Sequence, residues 1–291
     1  MASQKFLTTC MGFGCSAVGI TGCRILQSPR ERLIAMITNS FVPCNGRFPL
    51  LITLITLFFT ASAFAPWNTL LSTVLLTGVI VFSVVMTLLI SKLLSKTILR
   101  GMPSSFVLEL PPYRVPQVGR VILRSLLDRT VFVLGRAVMT AAPAGLLIWL
   151  LSNIPAGEGS VLTGCAAFLD PVGHVFGMDG AILLGFILGF PANEIVLPIV
   201  LMIYLSGGSL METESLVQLH TLLIQNGWTW LTAVCVMIFS LMHWPCATAC
   251  LTLFKETKSV KWTLLSIAIP AVTGLFLCFV VANGSRLIGL A

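Results

Sequence analysis

Residues 185–205 read GFILGFPANEIVLPIVLMIYL, with Glu194 as the only formal charge and Pro191 and Pro198 on either side of it. A carboxylate in so apolar a run needs either a partner or a function. Two readings stay open: a protonated Glu194 hydrogen-bonded to another helix, or a carboxylate on a cation or proton path with Asn193 as a neutral oxygen ligand beside it. Pro43-Cys44 and Pro245-Cys246 form a second constellation. Proline frees a carbonyl one turn upstream, so each site offers a carbonyl and a thiol at one depth. Thiolate and carbonyl together suit a borderline first-row divalent metal. Cys250 follows Cys246 at i+4 on the same helix face, His243 precedes it by about one turn, and Thr248 adds a hydroxyl.

Cys15, in the glycine loop GFGCS, is either a pore thiol or a small residue in a tight turn. Any single cysteine can also be a small apolar residue that lets helices pack. That plainer reading is taken for Cys10, Cys23, Cys165, Cys235 and Cys278, and the matched contexts of Cys44 and Cys246 argue against it there. Arg47, in PCNGRFP, is expected to neutralise an acidic group such as Glu194 or to bind carbonyls at the end of a broken helix. His174 and His220 sit in polar segments and read as surface residues, and the scattered methionines read as core filler.

The elements that must hold these groups are apolar. Of 291 residues, 57% are hydrophobic and only 9% charged, against roughly 25% charged in soluble domains. Apolar runs at 33–65, 69–91, 131–154, 180–205, 228–254 and 262–283 are each about long enough to cross ~30 Å of hydrocarbon. They do not alternate as β-barrel strands do, so the fold class is an all-α, polytopic membrane protein. The first run carries interruptions at Pro43 and Pro49. The nine cysteines have no secreted-framework spacing and read as free thiols. Neither a signal peptide, nor a Walker A loop, nor a His-Glu-x-x-His zinc motif, nor a Gly-x-Ser-x-Gly elbow is present, so enzymatic chemistry has little to stand on.

The net charge of +7 gathers at the ends of the apolar runs rather than in a nucleic-acid patch. Arg24, Arg30 and Arg32 form one basic cluster, Lys92 to Arg129 a second, and Lys255, Lys258 and Lys261 a third. All three are expected in the cytoplasm. They can share that side only if 180–205 is a re-entrant hairpin, with Glu194 near its tip and the polar segments 155–179 and 209–226 outside. A weak internal repeat agrees: GFGCSAVGITG then SFVPCNGRFPLL parallels GFPANEIVLPI then SLMHWPCATACL. The two copies would enter from opposite faces, as in inverted-repeat secondary transporters, with the binding site where broken helices meet. The expected division is a first repeat at 1–91, a connector at 92–130, and a second repeat at 131–291. The connector contains the proline-rich ELPPYRVP and an amphipathic, arginine-bearing helix at the cytoplasmic surface.

These motifs together resemble the membrane half of the ferrous iron transport protein B (FeoB) family, over nearly the whole chain. GFGCSAVGI, RERLIAMITNSFVPCNGRFPL, ELPPYRVPQ, LDPVGHVFGMDG with GFPANE, and PCATACLTLFKETKSVKW each look like a family motif. The departures are Ala17-Val18, where the family usually has Val-Pro, and Asn193, where it usually has Lys. The resemblance implies two Gate-type repeats, a nucleoside-transporter-like layout, and passage of Fe²⁺ across the cytoplasmic (inner) membrane. It carries metal-binding roles to Cys15, Cys44, Glu194 and Cys246, with Asn193, His243, Thr248, Cys250 and Arg47 as accessory positions. Fe²⁺ is then the transported ion, and no permanent cofactor is expected. The partners implied are the lipid bilayer, a GTPase (the family's G domain) on a separate polypeptide, a small cytoplasmic accessory protein and further copies of the chain, but no nucleic acid. Two other classes remain: a Gate-fold membrane protein for sensing or assembly, and an organic-solute carrier. The second needs midplane side chains for a sugar and a base, which are scarce here.

Overall fold

The longest helices are those whose sequence is apolar on every side. In a computed structural model, which describes residues 2–26, 28–60, 67–97, 131–156, 159–205 and 216–289 with Gly119 and Leu123, these are α5 (Trp67–Lys96) and α13 (Val260–Ile288). Leu70, Val74, Leu88, Val272 and Phe276 on them are exposed, a surface that suits hydrocarbon and not water. A third stretch long and apolar enough to cross a membrane, Trp230–Thr257, is mostly buried and lies at the centre. It is broken into α11 (Trp230–Met242) and α12 (Ala247–Thr257).

Around this centre the chain builds the same unit twice. The first is a hairpin of α1 (Ala2–Gly14) and α2 (Ser16–Gly22), then α3 (Pro29–Thr38) and α4 (Phe48–Ile55) on either side of a break. After α6 (Phe132–Asn153), a two-residue antiparallel pairing of β1 (Pro155–Ala156) with β2 (Gly159–Ser160), and α7 (Val161–Val175), the second hairpin is α8 (Gly180–Leu188) with α9 (Val196–Tyr204). Then α10 (Leu216–Gln225) leads into the broken α11–α12. All-α architecture with broken helices and hairpins is therefore what the chain adopts.

Small residues let each hairpin close. A Cβ on Gly19 would stand 3.0 Å from the Gly12 Cα, and the Asn39 amide fills the seam above both glycines. In the second hairpin a Cβ on Gly185 would run into Val200 and the Val196 carbonyl. GFGCSAVGITG is thus a pair of helices meeting at Cys15, not a glycine loop.

Two further expectations change. Segment 155–179, read as polar, is mostly the helix α7, which meets α8 at 109°. Asp170 and His174, the residues that suggested a loop, pair with each other at i,i+4 on the exposed face, while Leu162, Ala166 and Gly173 bury the other. Pro49 and Pro198 do not interrupt helices either. Each lies in the first turn of its helix, where the missing N–H would have had no intrahelical partner. Most of connector 92–130, including the expected amphipathic helix, lies outside the described residues, as does 209–215; the rest of 209–226 is largely α10.

The two hairpins open at opposite ends of the molecule. At one end Arg24, just after α2, forms an ion pair with Glu256 near the end of α12 (2.5 Å), and Arg30 donates to the Ser95 carbonyl of α5. The described members of all three basic clusters therefore share this end. At the other end the mouth of the second hairpin is clasped. Tyr204 O–H donates to Asp179, and Trp228 Nε1–H donates to the Tyr204 oxygen at 2.7 Å. The clasp joins the start of α8, the end of α9 and the approach to α11. Tyr204→Phe leaves a half-buried carboxylate and an indole N–H each short of a partner, at about 1–3 kcal/mol per group. The expected result is a lower thermal midpoint in detergent with unchanged helix content, read by circular dichroism.

Candidate functional site

Both broken helices fail at a Pro-Cys step. After α3 the chain makes a 3₁₀ turn, Asn39–Phe41, and runs irregularly through Val42, Pro43 and Cys44 to Arg47. After α11 it is extended through His243 and Trp244 to Cys246, which starts α12. In each case the residue after the cysteine donates its N–H to the tip of the hairpin in its own repeat. Asn45 N reaches the Gly14 carbonyl at 3.4 Å, and Ala247 N reaches the Phe190 carbonyl at 2.8 Å. Each break thus rests on a hairpin tip, and the two tips meet between the repeats.

This places Cys15 and Cys44 each in the neighbourhood of Cys246, with Arg47 near both Cys44 and Cys246. Glu194 sits in a 3₁₀ turn, Asn193–Ile195, at the tip of the second hairpin. Its carboxylate lies against Gly46, 3.7 Å from where a Cβ would be. Glu194 is exposed and has no hydrogen bond or ion pair among the described residues. Gly14 and Asn45 are exposed beside it, and Cys15 and Cys246 are half-buried. Irregular backbone halfway along a span is tolerated only against protein or a wet cavity, so this gap faces away from lipid.

Asn193 ties the two repeats together. Its amide lies 4.0 Å from Cys44 Sγ and 3.2 Å from His243 Nε2. His243 Nδ1 is 2.8 Å from the Ser240 carbonyl and 3.2 Å from that of Phe239. In the structure Asn193 Nδ2–H faces Cys44 Sγ and Oδ1 faces His243 Nε2; with a neutral imidazole donating from Nδ1, donors and acceptors alternate once the amide is turned over, so that its nitrogen faces His243 and its oxygen the Cys44 thiol. Both ring nitrogens of His243 are then in use, which removes it as a ready metal ligand.

Arg47 takes the second of its two expected roles. It is 1% exposed and pairs with no carboxylate among the described residues, Glu194 included. Its Nη1 donates to the Ser40 carbonyl (2.9 Å) and the Leu241 carbonyl (2.8 Å), and its Nη2 to those of His243 and Trp244 (each 3.4 Å). One cation therefore caps the carbonyl ends of α3 and α11, which belong to different repeats. The carbonyl one turn ahead of Pro245, that of Leu241, accepts from Arg47 here. Cys250 gives its thiol to the Pro245 carbonyl at 3.5 Å. Thr248 is buried in the first turn of α12, without a place in the gap that the hydrogen bonds define. Among the described residues no three His, Cys, Asp or Glu side chains gather closely enough to hold a metal ion in this conformation.

Two contributors were not foreseen. Ser83, on the buried stripe of α5 with Thr87, Ile90 and Leu94, donates to the Phe41 carbonyl at 2.7 Å. Asn39 donates to the Ser16 carbonyl at 2.9 Å and fixes the first hairpin. A buried polar residue in a lipid-facing helix is itself a signal, since it is costly there without a partner.

Two hairpins that open at opposite ends, each with a Pro-Cys-broken helix resting on its tip, define an all-α polytopic membrane protein of the inverted-repeat class. The comparisons agree and are more specific. The family model described as "Nucleoside recognition", the Gate model, matches residues 134–260, and that described as "Ferrous iron transport protein B C terminus" matches 76–128. A Staphylococcus aureus (strain COL) protein named "Fe(2+) transporter FeoB" is 30% identical over 96% of this chain and 40% of its own length. Proteins of the same name from Synechocystis and Methanocaldococcus jannaschii are 29% and 24% identical, over 95% and 99% of this chain and 43% and 42% of their own lengths. The chain is thus similar to FeoB proteins over nearly its whole length, and it spans about two fifths of the length of the curated relatives it matches. No solved structure matches it.

Replacing Asn193 with Ala strands Cys44 and His243 together. The expected loss is about 1–3 kcal/mol, seen as a lower thermal midpoint in detergent. Combining it with Cys44→Ala should cost less than the sum of the two single changes, because the groups share one chain of bonds.

Proposed function

We propose that this chain forms the permease part of a FeoB-like system and moves Fe²⁺ across the cytoplasmic membrane. The observation that supports the reading is that Cys15 and Cys44 lie near Cys246 at the two helix breaks, with Glu194 against Gly46 at the first of them, in a chain similar to FeoB proteins. Glu194, accessible and without a partner among the described residues, supplies negative charge to draw a cation into the gap. The sulfurs favour Fe²⁺ over Mg²⁺ and Ca²⁺, which prefer all-oxygen shells. An ion in transit must be held loosely enough to leave. The open arrangement fits that demand, with few protein ligands at a time and water completing the shell.

The basic end is the cytoplasmic face in this reading. A GTPase, whether joined to this chain or separate, would dock there, as would the small accessory protein. The role is transport and not catalysis.

Initial-rate uptake of radioactive Fe²⁺ into proteoliposomes tests the site. Glu194→Gln preserves shape and is expected to abolish uptake at matched protein levels. Cys246→Ser is expected to retain part of it and to accept harder ions. Wild-type rates in Glu194→Gln would make the carboxylate incidental. If metal neither moves nor protects Cys44 and Cys246 from a thiol reagent, the sensing or assembly reading is favoured. Orientation is tested in a background lacking the native cysteines. Asn226→Cys should react with an impermeant maleimide added outside intact cells, and Lys258→Cys only after the membrane is opened.

A further inference from the structure

Backbone carbonyls are hard oxygen ligands, and a helix broken at proline normally leaves several of them free. Here side chains around the two breaks take up several of them. Arg47 holds the carbonyls of Ser40, Leu241, His243 and Trp244; Ser83 holds that of Phe41; Cys250 holds that of Pro245. Meanwhile Glu194, beside Gly46, has no partner among the described residues. Arg47 is fully buried and forms no ion pair among the described residues. Its position is explained by the oxygens it covers.

We infer that Arg47 is a specificity-determining residue: by occupying the carbonyls at both helix breaks it keeps hard oxygen out of the gap and leaves the choice of ion to sulfur and one carboxylate. This rests on the divalent-cation reading of the site. A gap lined by freed carbonyls would suit Mn²⁺, Mg²⁺ or Ca²⁺ as well as Fe²⁺. With those oxygens engaged, an ion that gains little from sulfur finds few ligands. The role concerns the balance between ions, which a purely structural clamp would not alter.

The test is the ratio of Fe²⁺ to Mn²⁺ initial uptake in proteoliposomes, measured for wild type, Arg47→Met, Arg47→Lys and Ser83→Ala. Arg47→Met frees the four carbonyls and should shift the ratio toward Mn²⁺ by about tenfold, roughly one ligand's worth of discrimination. Arg47→Lys keeps the charge but loses the planar fork that spans carbonyls of both repeats. It should shift the ratio in the same direction by less, which separates carbonyl occupancy from simple electrostatics. Ser83→Ala leaves Arg47 in place, frees the Phe41 carbonyl, and gives a smaller shift of the same sign even if both Arg47 variants fail to fold. An unchanged ratio in the folded variants, including equal loss of both metals, overturns the inference while the transport reading stands. If the wild type moves neither metal, the transport reading falls and this inference falls with it.

Discussion

A helix broken inside a membrane exposes carbonyls that no water replaces at low cost, and each such group is worth several kcal/mol if left bare. The centre of this protein is organised by that constraint. Arg47 carries most of the burden, with one guanidinium reaching the ends of two helices from different repeats. A buried cation with no carboxylate would itself be costly, but the partial negative charge at two helix C-termini offsets it. The same bonds fix the register between the repeats and so determine where Cys44 and Cys246 stand.

The hydrogen bonds around the site alternate between joining parts of one repeat and joining the two repeats. Asn45 to Gly14 and Ala247 to Phe190 hold each break on its own hairpin, while Arg47 and the Cys44–Asn193–His243 chain cross between repeats. The candidate ligands lie where those two kinds of bond meet. Fold and site are consequently inseparable: the groups that satisfy the backbone decide what remains available to an ion.

Much of this was legible in the residues. Apolar length marked the membrane class, and the paired Gly-Phe and Pro-Cys strings marked the repeat, because glycine at a close approach and proline at a break are backbone requirements with few substitutes. The hairpin at 180–205, with Glu194 at its tip, followed from charge placement alone. What stayed hidden depends on which groups meet in space. Helix α7 was missed because Asp170 and His174 look like loop residues until their i,i+4 pairing is seen. The Leu241 carbonyl accepts from a donor that lies 194 residues away in the chain. Ser83 and Asn39 likewise act on distant backbone, and no local pattern announces that.

The two hairpins are also mechanical objects. Each is tied at its open end, the first by Arg24 to Glu256 and the second by Tyr204 to Asp179 and Trp228, on opposite faces of the molecule. A rod held at one end swings most at the other. Helix α8 has nine residues, so its tip lies about 14 Å from its anchorage. By the same geometry a tilt of about five degrees moves the tip by roughly 1 Å. A modest push on either face therefore becomes a displacement at mid-depth, delivered to the stretch that carries Glu194 or Cys15. The hairpins work as opposed levers whose load is the gap between them.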